Sequence, residues 1–139
     1  MRAFSIVATL FAVLAVAGVV SSHERQEIAG MQVVFGGEPE PVLDGEICFL
    51  RWRFTDLESK EPVGDLEDLS ATLSFDGKEF GPFEARGSRR NPGTYQTQHI
   101  FTKPGEGSVT LTFKKPGGDE SHSLTLSFRA RPRKSIEIP

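Results

Sequence analysis

The chain has 139 residues, a single cysteine and a formal charge of −3, a length that suits one domain. A slightly acidic protein with 25% charged residues is neither a nucleic-acid binder working through global positive charge nor a multispanning membrane protein. One cysteine excludes an intramolecular disulfide and any paired-cysteine zinc or redox site. The 11 Phe, 14 Gly and 9 Pro, against one Trp and one Tyr, indicate β structure with many turns.

Residues 1–22 open with Arg2, continue through an apolar stretch from Ala3 to Val20 and exit through Ser21 and Ser22. A short positive start, an apolar centre and small exit residues mark a secretory signal peptide, with cleavage expected before His23. An uncleaved anchor is the alternative, although the run sits at the lower limit for crossing a bilayer. Lipidation is excluded, since the only cysteine is Cys48. The protein is therefore expected in the periplasm or the medium.

In the rest of the chain, apolar alternation is interrupted by turn clusters. The first expected strand covers Met31 to Phe35 and stops at Gly36-Gly37. The strongest covers Glu46 to Thr55, with Cys48, Leu50, Trp52 and Phe54 on one face and Arg51, Arg53 and Thr55 on the other. Leu69 to Phe75 points Ala71, Leu73 and Phe75 inward, and Asp76-Gly77 offers a two-residue hairpin turn into Lys78 to Ala85. Gly81-Pro82 makes that next strand an edge or a bulge. Thr94 to Phe101 follows Asn91-Pro92-Gly93. Ser108 to Lys114 turns inward Val109, Leu111 and Phe113, and Ser121 to Ala130 turns inward Leu124, Leu126 and Phe128. About seven strands at regular spacing, without helical periodicity, predict an all-β fold: an immunoglobulin-like antiparallel β-sandwich over residues 23–131. Residues 132–139 read as a flexible C-terminal tail.

Certain residues carry a family resemblance. Phe54-Thr55-Asp56 leads through Leu57 to Glu61 into Pro62-Val63-Gly64-Asp65-Leu66. Pro92-Gly93-Thr94-Tyr95 and Phe101-Thr102-Lys103-Pro104-Gly105 then precede later strands. Over residues 44–130 this pattern resembles small exported bacterial immunoglobulin-like domains of the YtkA-like and FixH-like type. The resemblance implies a β-sandwich outside the cytoplasm without catalytic activity. Some such domains sit near copper handling or cytochrome-oxidase biogenesis. No functional residue transfers, because the chain has no His- or Met-rich segment.

Few residues suggest chemistry. Cys48 alternates with core residues and reads as a buried, inert thiol. Residues 56–68 carry six carboxylates but no calcium-loop spacing, so they read as a solvated acidic loop. Arg86, Arg89 and Arg90 are the candidate interaction residues. Together with Arg129, Arg131, Arg133 and Lys134 they would form a basic pole opposite the acidic loop, facing another envelope protein or an anionic polymer. Gly105-Glu106-Gly107-Ser108 lacks the spacing of a nucleophile elbow, and no catalytic set stands out. Neither a cofactor nor a small-molecule substrate is expected, and the function read from the residues is a non-catalytic exported binding module. The alternative is a copper-handling protein in which a freed N-terminal His23 chelates the ion beside His99 or His122. Three scattered histidines without Met or Cys support make metal binding the less favoured reading.

Overall fold

The computed structural model describes residues 23–139; the expected signal peptide, 1–22, lies outside the described residues. Nine strands follow in chain order: β1 (His23–Ile28), β2 (Met31–Glu38), β3 (Ile47–Asp56), β4 (Glu67–Phe75), β5 (Lys78–Glu84), β6 (Arg86–Gly87), β7 (Thr94–Ile100), β8 (Gly105–Lys114) and β9 (Ser121–Ala130). They form two antiparallel sheets, ordered β1-β2-β3-β7-β6 and β5-β4-β8-β9. The expected antiparallel sandwich is correct in class, with nine strands in place of about seven. The two additions are β1, whose HERQEI sequence is polar and shows no apolar alternation, and the two-residue β6. Glu24, Arg25 and Gln26 are paired residue for residue with Phe35, Val34 and Val33 of β2.

The core follows from period-2 alternation on facing sheets. Cys48, Leu50, Trp52 and Phe54 from β3 meet Ala71, Leu73 and Phe75 from β4, with Val109, Leu111 and Phe113 from β8 and Leu124 and Leu126 from β9. Phe35 lies against Trp52 with ring centroids 5.4 Å apart, and Phe54 meets Phe113 edge-on at 5.1 Å. Phe128 departs from expectation. It is only partly buried, stacked on Phe75 at 6.0 Å near the end of the sandwich. The β2 strand runs through Gly36-Gly37 instead of stopping there, pairing them with Arg51 and Leu50 of β3, and a side chain at Gly37 would collide with Val42. Glycine thus lets the following loop fold Val42 back onto the core.

Asp76-Gly77 makes the expected tight hairpin, with both residues at positive φ (52° and 71°) and Phe75 opposite Lys78. Opposite Gly81-Pro82 the β4–β5 register slips between Ala71 and Leu73. At the far end of the sandwich, Tyr95 fastens the long 57–66 loop. Its hydroxyl donates to the Val63 carbonyl at 2.8 Å and accepts from the Leu66 N–H at 3.1 Å. Residues 132–139, expected as a flexible tail, begin in a 3-10 turn at Arg133–Ser135. The Arg133 N–H donates to Asp44 Oδ1 at 2.7 Å, and Arg131 bridges to Leu43.

Trp52 is wholly buried, and its indole N–H has no partner among the described residues. Its contribution is therefore packing alone. Replacing Trp52 with Ala should lower unfolding free energy by about 3–5 kcal/mol. Tyr95→Phe should cost about 1–3 kcal/mol by stranding the Leu66 N–H. Denaturant titration of both variants checks the two values.

Candidate functional site

Sandwich sheets have edges, and this fold treats its two sides differently. On one side β1 faces β9. Glu24 Oε2 accepts from the Ser127 N–H at 3.1 Å, and the Gln26 side-chain amide donates to the Thr125 carbonyl at 3.1 Å. Side chains from one sheet thereby bond two main-chain groups on the edge of the other, which bridges that seam.

The opposite seam, between β5 and β7, is open. The chain crosses from one sheet to the other at Ala85, and the two-residue β6 pairs only with Tyr95 and Gln96 of β7. The rest of the β7 outer edge lies bare. Its parity is fixed by three hydrogen bonds. The Gly93 and Phe101 carbonyls accept from Phe54 and Gly45 on the β3 side, whereas the Thr94 carbonyl accepts from Ser88 on the β6 side. With an unbroken β3–β7 register, odd residues bond to β3 and even residues face outward. Gln98 and Ile100 therefore present N–H and C=O groups at the edge with no partner among the described residues.

Beside this edge a cleft of about 450 Å³ opens between the sheets, lined by Leu73, Phe75, Phe80, Phe83, His99 and Phe101. The slipped β4–β5 register places Phe80 opposite Leu73 and Phe83 opposite Ala71, so both turn to the inner face despite their odd spacing. They remain 43% and 37% exposed, which is unusual for inward-facing phenylalanines. Ile47 and Ile100 form an exposed cross-strand pair on the outer face nearby. Asp76, Lys78, Thr102 and Lys103 make the polar rim. Asp76 pairs with Lys103, which holds its carboxyl below the usual range.

His99 forms the cleft wall. Its ring meets Phe83 edge-on at 4.9 Å, and Nε2 lies 2.7 Å from Thr97 Oγ1. Burial pushes its pKa below the ordinary histidine value. His122 is on β9 in the other sheet, its ring 5.5 Å from that of Phe113. His23 is a residue of β1, three strands across the sheet from β7. The fold does not bring the three histidines together. Among the described residues no group of three or more His, Cys, Asp or Glu is placed to hold a metal ion.

Arg86, Arg89 and Arg90 are exposed, and Arg86 reaches Glu84 at 3.9 Å. The single basic pole expected for them does not form. Arg86 lies on the β6 edge, whereas Arg129 lies on β9, at the edge of the other sheet across the sandwich. The 88–93 loop also packs beside the acidic loop and not opposite it: the space above Gly64 is filled by Pro92, and that above Gly93 by Pro62. In the acidic loop, Asp56 accepts from the Glu58 and Ser59 N–H groups, a turn contact that holds its carboxyl low. Cys48 is buried as expected, and desolvation raises its thiol pKa to about 11. Phe80, Phe83 and Ile100 were not foreseen. The signal available was two phenylalanines flanking Gly81-Pro82, a place where a bulge reverses side-chain parity.

No family model matches the chain, and no curated protein matches it. Among solved structures, it is similar to a DUF4426 family protein from Pseudomonas aeruginosa PAO1, with 13% identity, a TM-score of 0.61, and coverage of 80% of this chain and 96% of that one. It is also similar to a copper-bound variant of FetP from uropathogenic Escherichia coli strain F11, with 16% identity, a TM-score of 0.59, and coverage of 78% and 95%. At these identities the likeness establishes a shared sandwich fold. Among the described residues no helix is long and apolar enough to cross a membrane.

Because neutral His99 is favoured by the fold, the unfolded chain binds its proton more readily. Stability should therefore fall as pH drops below the unfolded histidine value of about 6.5. Thermal melts between pH 7.5 and 5.5 should show a steeper loss for the native protein than for His99→Gln.

Proposed function

We propose that the protein is a non-catalytic binding module acting outside the cytoplasm, and that it receives an extended polypeptide segment along the open β5–β7 seam. The observation that carries this reading is the asymmetry of the two seams. One is bridged by Glu24 and Gln26, whose side chains bond main-chain groups of β9. The other exposes the unpaired main-chain groups of Gln98 and Ile100 beside Phe80 and Phe83. An added strand would gain main-chain hydrogen bonds from β7 and place alternate side chains into the aromatic cleft, the general logic of strand addition. Export is supported by Arg2 and the apolar stretch that follows it. A partner in the cell envelope fits both that and the resemblance to YtkA-like and FixH-like domains. Arg86, the first residue of β6, lies opposite Gln96 and would flank the incoming strand, whereas Arg89 and Arg90 lie in the loop at the other end of β7.

The test uses a soluble heptapeptide alternating valine and threonine. It should bind the chain from His23 onward saturably, and Gln98→Pro should weaken binding by about tenfold or more. Proline on an outward-facing edge position removes the N–H offered to a partner and none offered to β3. Phe83→Ser should weaken binding through loss of apolar contact. Absence of saturable binding up to about millimolar peptide would contradict the strand-receiving reading.

The copper reading is favoured only by the copper-bound FetP variant among the fold neighbours. The positions of His23, His99 and His122 argue against it. Calorimetry with copper(II), on protein whose terminus is verified as His23, should show no one-to-one site tighter than about micromolar. A tight isotherm lost on changing His99 or His122 would reinstate copper handling.

A further inference from the structure

We propose that the occupant of the open seam is residues 135–138 of a second copy of this chain. This rests on the strand-receiving reading above and names its partner. The segment Ser135-Ile136-Glu137-Ile138 alternates polar and β-branched residues as an isolated strand would, yet it belongs to neither sheet. Ile136 is 57% exposed and Ile138 93%, the most exposed large apolar side chain among the described residues.

Donor and acceptor lie at the same end of the sandwich. Arg133, the root of the segment, pairs with Glu46 at 3.5 Å, next to Ile47, and Ile47 is the cross-strand partner of Ile100. Within one chain the segment turns away. Ser135 donates to the Pro132 carbonyl, Ile136 donates to the Arg133 carbonyl, and Arg133 pairs with Glu137 at 3.7 Å. A twofold axis at this end would let each copy lay its segment on the other's β7, a closed and self-complementary arrangement.

An antiparallel register with Glu137 opposite Ile100 satisfies the geometry. The outward N–H and C=O of Ile100 would then exchange hydrogen bonds with Glu137, and the Gln98 N–H would donate to the carbonyl of Pro139, which follows the segment. Ile136 and Ile138, opposite Phe101 and His99, would point into the cleft between Phe80 and Phe83.

Sedimentation of the chain from His23 onward, from about 5 to about 500 µM, should show a monomer–dimer equilibrium. The double variant Ile136→Asp with Ile138→Asp, and separately Gln98→Pro, should each weaken it by about tenfold or more. All of these positions are solvent-facing, so matched circular dichroism and melting would confirm folding. Mixing the two variants should give a heterodimer held by one of the two exchanges, tighter than either variant alone and weaker than the wild type, since one keeps the cleft and the other the donor segment. A wild-type monomer throughout the range, or a dimer that neither variant shifts, overturns the proposal. If the wild type stays monomeric while the Val/Thr heptapeptide binds, the seam takes a strand from a different protein and only the second-copy assignment falls. If neither associates, both fall.

Discussion

The main-chain hydrogen-bonding capacity at the edge of a sheet cannot be switched off; it must be paired, blunted or used. This sandwich has four edges, and the chain treats them differently. Glu24 and Gln26 turn the β1 and β9 edges toward each other. Strand β5 is blunted by Lys78, Glu79 and Glu84 and broken by Gly81-Pro82. Strand β6 covers the first part of β7 and then ends. What remains, Gln98 and Ile100, is uncharged and free of proline. It borders Phe80 and Phe83, which turn inward and still meet solvent.

Packing and opening are linked. The core is built from aromatic contacts that run from Phe35 and Trp52 through Phe54 and Phe113, and it is well closed at the Tyr95 end. Toward the other end the aromatic series continues as Phe75, Phe101 and Phe128 with ring centroids 5.0–6.0 Å apart. It then meets His99 and Phe83 at the cleft. A ligand entering there would be continuous with the hydrophobic core, where each apolar side chain it buries contributes most. The same burial keeps His99 neutral, so the wall of the cleft is apolar near neutral pH and becomes costly to maintain in acid.

The sandwich was legible in the sequence wherever one face is buried and the other wet. Cys48 to Phe54, Leu69 to Phe75 and Ser108 to Lys114 alternate cleanly, because each strand has an inside and an outside. Strand β1 was not legible, since its residues spend their side chains on the seam with β9 instead of on the core. The cleft was hidden for a related reason. Parity arguments fail across a bulge, so the inward turn of both Phe80 and Phe83 depends on a register slip that only pairing with β4 reveals. The basic pole failed because nearness in sequence says nothing about which sheet edge a residue occupies. Arg86 and Arg129 are separated by the width of the sandwich. With three histidines on β1, β7 and β9, geometry and not residue type decides against a shared ligand set.

Amide hydrogen exchange resolved by residue tests the central asymmetry most directly, because protection reports the hydrogen bonds each edge makes. In the free, dilute protein exchange should be fast at Gln98 and Ile100, slower at Ser127 where Glu24 accepts its N–H, and slow at the β3-bonded Thr97 and His99. Addition of a strand-forming peptide should then slow Gln98 and Ile100 selectively. Protection of Gln98 and Ile100 in the dilute monomer equal to that of Thr97 and His99 would contradict the asymmetry.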